Sequence, residues 1–243
     1  MENREIFSSI TTIPPVFLRL DGRAFHHLTE SLGLQKPFDD FFNKAMVAVC
    51  TSLVSDSGLS PDFAFTFSDE ISLYLTRLPF SGRVEKIDSV AASFASSALT
   101  MMLGSVTPLS FDCRVVQATP EFAVEYLVNR QGEAWRNHIN AYCQHALISG
   151  GMSGREAANQ LKGTLAKEMH EMMFARGVNL AETPAWQRRG VLVHKEICRK
   201  EGFNPVTEET VVVDRSEVVA NRDLPLFSSD EGKEFLRKLI SGE

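Results

Sequence analysis

Residues 63–75 read FAFTFSDEISLYL and predict two β-strands joined by a tight acidic turn. Phenylalanines alternate with small or polar residues over positions 63–67, and aliphatic residues alternate over positions 71–75. Alternation with a period of two is typical of a strand that buries one face. The residues between the two runs, Ser68-Asp69-Glu70, suit a short hairpin turn. This stretch therefore predicts two neighbouring antiparallel strands.

The segments on either side of this hairpin predict two more strands and two helices. Residues 16–20, VFLRL, predict a buried strand that ends at Asp21-Gly22, and residues 111–117, FDCRVVQ, predict another strand. Helical spacing of apolar residues predicts helices over about 37–58 and 84–103. The order β-α-β-β-α-β is that of the split βαβ, or ferredoxin-like, sheet. We therefore predict an α+β fold with four antiparallel strands, both helices on one face and the other face open.

The chain after Pro120 has a different character and predicts an extension of helices and a hairpin. Helices are expected over 121–148 and 155–174, separated by the flexible SGGMSG segment. A hairpin of strands 189–197 and 210–219 and a helix over 231–240 complete the chain. We therefore divide the chain into a first domain, residues 1–120, and an extension, residues 121–243, that packs on it.

Composition excludes several classes of protein. The chain has 243 residues, 44% of them hydrophobic, which is enough for a substantial core and excludes disorder. Its net charge of −6 argues against a general affinity for polyanions. Residues 151–200 are the exception, with 9 basic and 5 acidic side chains. A local basic surface is therefore expected in this segment alone.

The cysteines and the apolar segments indicate a cytoplasmic protein with no membrane partner. The 4 cysteines are widely spaced and form no CxxC pair, so neither a zinc site nor a disulfide framework is expected. The first 15 residues contain acids and lack the apolar region of a signal peptide. The uncharged stretch 89–110 is interrupted by Gly104 and Pro108, so it fits a buried helix better than a membrane span.

Carboxylates occur at the ends of two predicted strands that are neighbours in a split βαβ sheet. Asp21 ends the first strand, and Asp69 and Glu70 lie in the turn before the third. Asp21 and Asp69 are therefore expected to converge, as oxygen ligands suited to Mg²⁺. Two such ions can stabilise the attacking and leaving oxygens of a phosphoryl displacement. Gly22 would allow its backbone, including its carbonyl, to approach a metal ion or a triphosphate closely.

Two other functions are compatible with the same fold. A non-catalytic RNA-binding module of this topology needs stacking aromatics on its open sheet face. The parity of Phe63, Phe65 and Phe67 predicts that these rings face the helices, which leaves Arg19, Asp112 and Arg114 on the open face. A nucleotide cyclase could use the same carboxylates without RNA, although the basic segment argues against it. No serine hydrolase triad is evident, and SGGMSGR lacks the ending of a phosphate-binding P-loop.

Several motifs, in matching order, resemble those of the tRNA-His guanylyltransferase superfamily. They are LDGRAFHHL at 20–28, Lys36-Pro37, FSDEISL at 67–73, FDCRV at 111–115 and TPAWQRRGVLV at 183–193. The resemblance implies a polymerase palm-like domain that adds nucleotides to the 5′ end of tRNA, with ATP, GTP or other nucleoside triphosphates as substrates and two Mg²⁺ ions. It also implies a homo-oligomer, by analogy a homotetramer.

The resemblance also assigns roles to individual residues. Asp21, Gly22 and Asp69 would hold the metal ions, and Glu70 would support them as a third catalytic carboxylate. The nucleotide triphosphate site would comprise Asp21, Gly22, Arg23, Ala24, Phe25, His26, Lys36, Ser68 and Asp69.

The basic segment is expected to contact the phosphates of tRNA. Arg155, Lys162, Arg188 and Arg189 are the candidates, since arginine suits phosphate recognition and phosphate contacts carry RNA affinity.

One departure from the family pattern bears on the reaction. Eukaryotic guanylyltransferases carry HINxxYN, whereas residues 138–144 here read HINAYCQ, with Cys143 and Gln144 in place of Tyr and Asn. The departure favours the archaeal and bacterial guanylyltransferase-like branch, which repairs 5′-truncated tRNAs by templated addition. Addition of a guanosine at position −1 of tRNA-His is the alternative.

Overall fold

The protein is built on one antiparallel sheet of six strands, in the order β4-β1-β3-β2-β5-β6. A computed structural model describes residues 5–25, 28, 32–204 and 209–242. The strands are β1 Val16–Gly22, β2 Phe63–Phe67, β3 Glu70–Leu75, β4 Phe111–Gln117, β5 Val191–Asn204 and β6 Glu209–Asn221. The described helices are α1 Asp40–Ser55, α2 Val84–Met102, α3 Pro120–Ser149, α4 Gly154–Leu161, α5 Ala166–Phe174, α6 Ala185–Arg189 and α7 Asp230–Ser241. The predicted α+β class and the order β-α-β-β-α-β of its first part are confirmed.

Antiparallel pairing places matching residues of β4, β1, β3 and β2 in straight rows across the sheet. The row at one end contains Asp112, Asp21, Glu70 and Phe67. Two residues further along the strands, on the same face, another row contains Arg114, Arg19, Ser72 and Phe65. Because directly paired residues project to the same side of a sheet, each row lies on one face.

The opposite face packs against α1 and α2 and forms the first hydrophobic core. Aliphatic residues of β1, β3 and β2, among them Leu18, Ile71 and Ala64, are fully buried there. Both helices turn small or aliphatic side chains toward this face, including Ala91 and Ala95 of α2. Small residues allow the close helix-to-sheet packing that the composition of α2 predicts.

The face carrying the rows is not open, and the prediction for the phenylalanines is wrong. Phe63, Phe65 and Phe67 do not face α1 and α2; they pack with Tyr126 and Leu127 of α3 in a second core. Arg19, Asp112 and Arg114 lie on this same face, since they pair in register with the strands that carry the aromatic rings. Alternation predicts which residues share a face, but a helix from outside the split βαβ unit covers it.

Helix α3 links the sheet to a third hydrophobic cluster. It has 30 residues and so spans about 45 Å. Its first half covers the sheet, whereas Ile139, Cys143 and Leu147 of its second half pack against α4 and α5. The predicted single helix over 155–174 is two helices, because the chain turns at Gly163, where φ is +80°.

The hairpin of β5 and β6 is longer than predicted and joins the main sheet only at its base. Pairing with β2 involves residues 191–194, whereas pairing between β5 and β6 extends along both strands. The rest of the hairpin therefore projects from the sheet as a two-stranded ribbon. No helix within the described residues is long and apolar enough to cross a membrane.

Candidate active site

Four carboxylates gather at the end of the two central strands. Asp21 lies between Asp112 and Glu70 in the end row, and Asp69 occupies the turn that precedes Glu70. The turn contains two residues, of which Ser68 has a φ of +50°. The predicted convergence of Asp21 and Asp69 is therefore what the strand register produces.

Gly22 allows the two strand ends to meet. Its amide donates a hydrogen bond to the carbonyl oxygen of Asp69, with an N–O distance of 3.2 Å. A Cβ at position 22 would lie 2.7 Å from the Phe25 ring and 3.0 Å from the Asp69 Cβ. No side chain fits at these distances, so the Asp-Gly pair has a packing reason as well as a chemical one.

Burial and like charge both act on Asp69. Burial raises the pKa of the Asp69 carboxyl, and the negative charge of Asp21 raises it further. The Ser68 hydroxyl donates to Asp69 Oδ1 at 3.0 Å and acts in the opposite direction. A cation placed between Asp21 and Asp69 would relieve this repulsion, because it favours the charged form of both groups.

Glu70 differs from the aspartates in having a buried cationic partner. Arg130 of α3 donates to Glu70 Oε2 at 2.5 Å and pairs with Glu133 at 2.7 Å. The Arg130 guanidinium also lies 5.3 Å from the centre of the Phe67 ring. Burial raises the pKa of Glu70, the positive charge of Arg130 lowers it, and the negative charge of Asp21 raises it. Arg130 thus supplies the positive charge that holds Glu70 in the end row.

The oxygen donors at the strand ends fit a hard divalent cation. Asp21 and Asp69 contribute carboxylates, and Mg²⁺ commonly takes one or two of these and completes its coordination with water and phosphate. Within the described part of the chain, no group of three or more His, Cys, Asp or Glu side chains has the geometry of a metal site. Two carboxylates would leave the remaining coordination positions of such a cation to water and to substrate phosphates.

Five of the residues predicted to bind nucleotide line two clefts rather than one, whereas Asp21, Gly22 and Asp69 line neither cleft. Arg23, Ala24 and Phe25 line a cleft against the loop 105–110 that follows α2. Lys36 and Ser68 line a second cleft, which we call the α1–α3 pocket, with walls from residues 34–39, 42 and 43, from α3 and from α6. His26 lies outside the described residues.

A contact between aromatic rings separates the two clefts. Phe25 of the first cleft packs edge-on against Phe42 of the α1–α3 pocket, with ring centres 6.3 Å apart.

Ala24 adopts a φ of +59°, a conformation that residues other than glycine rarely take. The backbone after Asp21 is thus bent sharply beside the carboxylates.

The four residues predicted to contact tRNA fall into two groups, one at the ends of α4 and one on α6. Arg155 and Lys162 are exposed at the two ends of α4, next to the third hydrophobic cluster. Arg188 and Arg189 line a groove with Trp135 and Arg136 of α3. Around the axis of α3, Trp135 and Arg136 lie about 120–140° from Arg130, which faces the sheet.

Both arginines of α6 also make structural contacts. Arg188 Nε donates to the Thr183 carbonyl at 2.8 Å, and Arg189 donates to the Leu224 carbonyl at 2.6 Å. Each therefore orders the backbone around α6 besides offering charge to the groove.

Sequence reasoning missed Arg130. The available signal was its position within the apolar stripe of α3, where Leu127 and Ala134 lie on the same helical face. A buried charge in such a stripe requires a partner.

An antiparallel split βαβ sheet with carboxylates at the ends of its two central strands is the arrangement of a palm-type domain. The chain belongs to the tRNAHis guanylyltransferase family. The model of that family matches residues 1–119, and the Thg1 C terminal domain model matches residues 122–224.

Relatives and solved structures agree with this membership. The tRNA(His) guanylyltransferase of Debaryomyces hansenii is 31% identical over an alignment of 209 residues, and the match covers 78% of this chain and 78% of that protein. The probable tRNA(His) guanylyltransferase of Dictyostelium discoideum is 28% identical over 228 residues, covering 85% of this chain and 86% of that protein.

A bacterial tRNA(HIS) guanylyltransferase (Thg1)-like protein in complex with ATP shares the fold, with a TM-score of 0.78 at 23% identity. The match covers 99% of this chain and 96% of that chain. A second such structure, in complex with GTP, has a TM-score of 0.75 at 24% identity. At 23% and 24% identity, the similarity to these two structures establishes a shared fold and nothing further.

Proposed function

We propose that this protein is a metal-dependent nucleotidyltransferase that adds nucleotides to the 5′ end of tRNA, in the 3′-to-5′ direction. The observation that carries the proposal is the meeting of Asp21 and Asp69 at the ends of the central strands, in a chain of this family. Substrates would be tRNA and the nucleoside triphosphates ATP and GTP, since related folds are known in complex with both.

The proposed reaction consists of two phosphoryl displacements. A 5′-phosphate oxygen of the tRNA attacks the α-phosphorus of ATP, and the bond to pyrophosphate breaks, which leaves an adenylylated 5′ end. The 3′-hydroxyl of the incoming nucleotide then attacks the 5′-phosphorus of the tRNA, its proton leaves, and AMP departs. Positioning and neutralisation of charge dominate the barrier of such reactions.

The residues of this chain would divide the work of both steps. Asp21, the Gly22 carbonyl and Asp69 would hold two Mg²⁺ ions, which neutralise the charge that develops on attacking and leaving oxygens. Glu70, held by Arg130, adds negative charge next to them. Arg19 and Arg114, two residues further from the strand ends on the same face, would add positive charge to this part of the sheet. Arg23, Ala24, Phe25, Lys36 and Ser68 would bind the nucleotide.

Templated repair of 5′-truncated tRNA is the form of the reaction we favour. Cys143 is fully buried in the third cluster and donates weakly to the Met169 carbonyl, with an S–O distance of 3.7 Å. Gln144 is exposed. Neither arrangement reproduces a Tyr-Asn pair, which supports the guanylyltransferase-like branch. The second candidate is addition of guanosine at position −1 of tRNA-His, which the names of the relatives favour.

The test uses a tRNA transcript that lacks its first nucleotide, beside intact tRNA-His. Each is incubated with Mg²⁺, ATP and the four nucleotides, and its 5′ end is mapped. Extension by the complementary base supports templated repair, whereas addition of guanosine whatever the opposing base supports the second candidate. Extension of neither RNA, in 5′-monophosphate or 5′-triphosphate form, contradicts both.

Two variants test the roles of the carboxylates. Asp21→Ala and Asp69→Ala should abolish addition while the fold remains intact by circular dichroism. Asp230→Ala, which removes an exposed carboxylate in the first turn of α7, is the matched control and should retain activity. Full activity of both Asp21→Ala and Asp69→Ala with Mg²⁺ would contradict the two-carboxylate mechanism.

The arrangement of the molecule on tRNA follows the same proposal. Residues 1–120 would form the palm-like catalytic unit and residues 121–243 the extension that contacts tRNA through Arg155, Lys162, Arg188 and Arg189. Neutralising one phosphate contact reduces the salt dependence of RNA affinity, so each Arg→Gln or Lys→Gln change should lower that slope. We further propose that the protein is cytoplasmic and forms a homotetramer. Light scattering of the purified protein tests the tetrameric state.

A further inference from the structure

The α1–α3 pocket has the lining of a nucleotide site beside the carboxylates. Phe38, Phe42 and Trp186 give it aromatic walls, and Lys36 and Ser68 give it a polar rim. Ser68 hydrogen-bonds to Asp69, so the rim is continuous with the catalytic turn. Aromatic walls suit a nucleobase, and a lysine suits its phosphates.

Arg222 connects two walls of this pocket from behind. It directly follows β6 at the base of the projecting hairpin. One terminal nitrogen of its guanidinium donates to Asp40 Oδ1 at 2.6 Å and to Asn43 Oδ1 at 2.9 Å, both on the first turn of α1. The same guanidinium lies 5.1 Å from the centre of the Trp186 ring on α6.

The two side chains that both line the pocket and contact Arg222 come from different elements. Asn43 is 7% exposed and belongs to α1, whereas Trp186 belongs to α6. Arg222 is not among the residues that line the pocket. Any effect of Arg222 on a molecule bound in the pocket would therefore pass through Asn43 and Trp186.

The contacts of Arg222 hold these two walls at a set separation. Charge-assisted hydrogen bonds are stronger than neutral ones, and a cation over an aromatic face adds attraction when it is partly desolvated. Asp40 keeps a second partner, Lys44 at 2.7 Å, so loss of Arg222 would leave that carboxylate paired. The change would then be felt mainly at Asn43 and Trp186.

We propose that Arg222 is a positioning residue of the nucleotide pocket, which sets the distance between Asn43 and Trp186 and so the affinity for a nucleoside triphosphate. The inference rests on the proposed function in taking a nucleoside triphosphate as the ligand. It also ties the base of the hairpin to the catalytic unit, since Arg222 follows β6 without an intervening loop.

The test compares three single variants of the full-length protein in binding and in kinetics. Arg222→Met keeps the aliphatic stem but removes the charge, and Arg222→Lys keeps the charge without the planar guanidinium. Arg237→Met, which removes an exposed partner of Glu234 on α7, is the matched control. Binding of ATP and of GTP is measured by calorimetry with Mg²⁺, and KM and kcat are measured on truncated tRNA.

Arg222→Met should weaken nucleotide binding and raise the nucleotide KM by about tenfold, with kcat changed by less than about twofold. Arg222→Lys should recover part of the affinity, and Arg237→Met should match the wild type. A loss of stability alone would lower the active fraction and leave the dissociation constant of the folded protein unchanged.

A second arm asks whether Arg222 acts through Trp186. In a Trp186→Leu background, Arg222→Met should weaken binding by much less than tenfold, because the ring it positions is gone. Equal fold-changes in both backgrounds would overturn the inference, as would an Arg222→Met variant that binds like the wild type.

The result is distinguishable from failure of the proposed function. If the wild type binds nucleotide and responds to Arg222→Met but extends no tRNA, the pocket assignment stands and the transferase proposal fails. If the wild type extends tRNA and Arg222→Met leaves the KM unchanged, the transferase proposal stands and the role of Arg222 is overturned.

Discussion

Replacing Arg130 by methionine would leave Glu70 without the cation that balances its charge. The two side chains are only 7% and 19% exposed, and their closest N–O distance is 2.5 Å. Two unit charges about 4 Å apart attract by about 4 kcal/mol at an effective dielectric constant of about 20. Removing one member of a buried pair typically costs about 3–5 kcal/mol, because the other charge stays buried. We expect Arg130→Met to lower the free energy of unfolding by this amount.

The partner substitution should cost less. In Glu70→Gln, Arg130 keeps its contact with Glu133 at 2.7 Å, so its charge remains paired. We expect a loss of about 1.5–3 kcal/mol, the value of a hydrogen bond to a charged group. In the double variant, the loss of unfolding free energy should be smaller than the sum of the two single losses, by about 1–3 kcal/mol. The reason is that the double variant leaves neither Arg130 nor Glu70 as an unpaired buried charge.

Urea unfolding at pH 7, followed by far-ultraviolet circular dichroism, measures the free energy of unfolding of the wild type, the two single variants and the double variant. Arg136→Met is the matched control, since Arg136 lies on the same helix, is 65% exposed and approaches Glu133 only to 3.6 Å. Its free energy of unfolding should stay within about 0.5 kcal/mol of the wild type. An Arg130→Met variant that is equally unaffected, or strictly additive single losses, would refute the reasoning.

Three further predictions follow from burial and packing. Gly22→Ala should lower the free energy of unfolding by about 1–3 kcal/mol, because the new Cβ would lie 2.7 Å from the Phe25 ring. Gly132→Ala, in an open helical position, should leave this free energy unchanged or raise it by up to about 1 kcal/mol. Chemical denaturation compares the two variants. Burial lowers the pKa of His138 from 6.5 to about 4, so the unfolded chain binds a proton in this window and the native protein does not. Stability should therefore fall as pH decreases from 6.5 toward 4, by at most about 1.4 kcal/mol per pH unit, and less steeply in His138→Phe; an unchanged slope in the variant would contradict the assignment. Iodoacetamide at pH 8 should modify Cys198, which lies on the hairpin, before Cys143, which is fully buried and whose pKa burial raises to about 11; peptide mass spectrometry gives the order.

The sequence predicts most of the first part of the fold because its signals there are local. Alternation over 63–67 and 71–75 predicts β2 and β3, and the Asp-Gly pair predicts the end of β1. Given the split βαβ order, β1 and β3 must be neighbours, so the meeting of Asp21 with Asp69 and Glu70 follows from topology. These are consequences of short-range pattern and of one known arrangement of strands.

What the sequence did not predict depends on contacts between distant segments. The face of Phe65 was assigned wrongly because parity says which residues share a side and not which helix lies over it. The only local signal of Arg130 was its position in the apolar stripe of α3, and its partner Glu70 is 60 positions away. Arg222 likewise joins α1 and α6, which are remote from it in the chain. The roles of both arginines follow only from tertiary packing, of α3 on the sheet for Arg130 and of the segment after β6 for Arg222.

The coverage of both faces of the sheet restricts how a long polymer can reach the carboxylates. In the part of the chain that the structure describes, α1 and α2 occupy one side of the central strands and α3 the other. A substrate therefore approaches the carboxylates along the strand axis, at the end of the sheet where Asp112 and Ser68 are exposed. An RNA cannot lie across such a sheet, whereas the terminus of a chain can enter it. On the proposed function, the enclosure of the palm would itself discriminate a free 5′ end from the internal phosphodiesters of the same tRNA, without any contact that reads sequence.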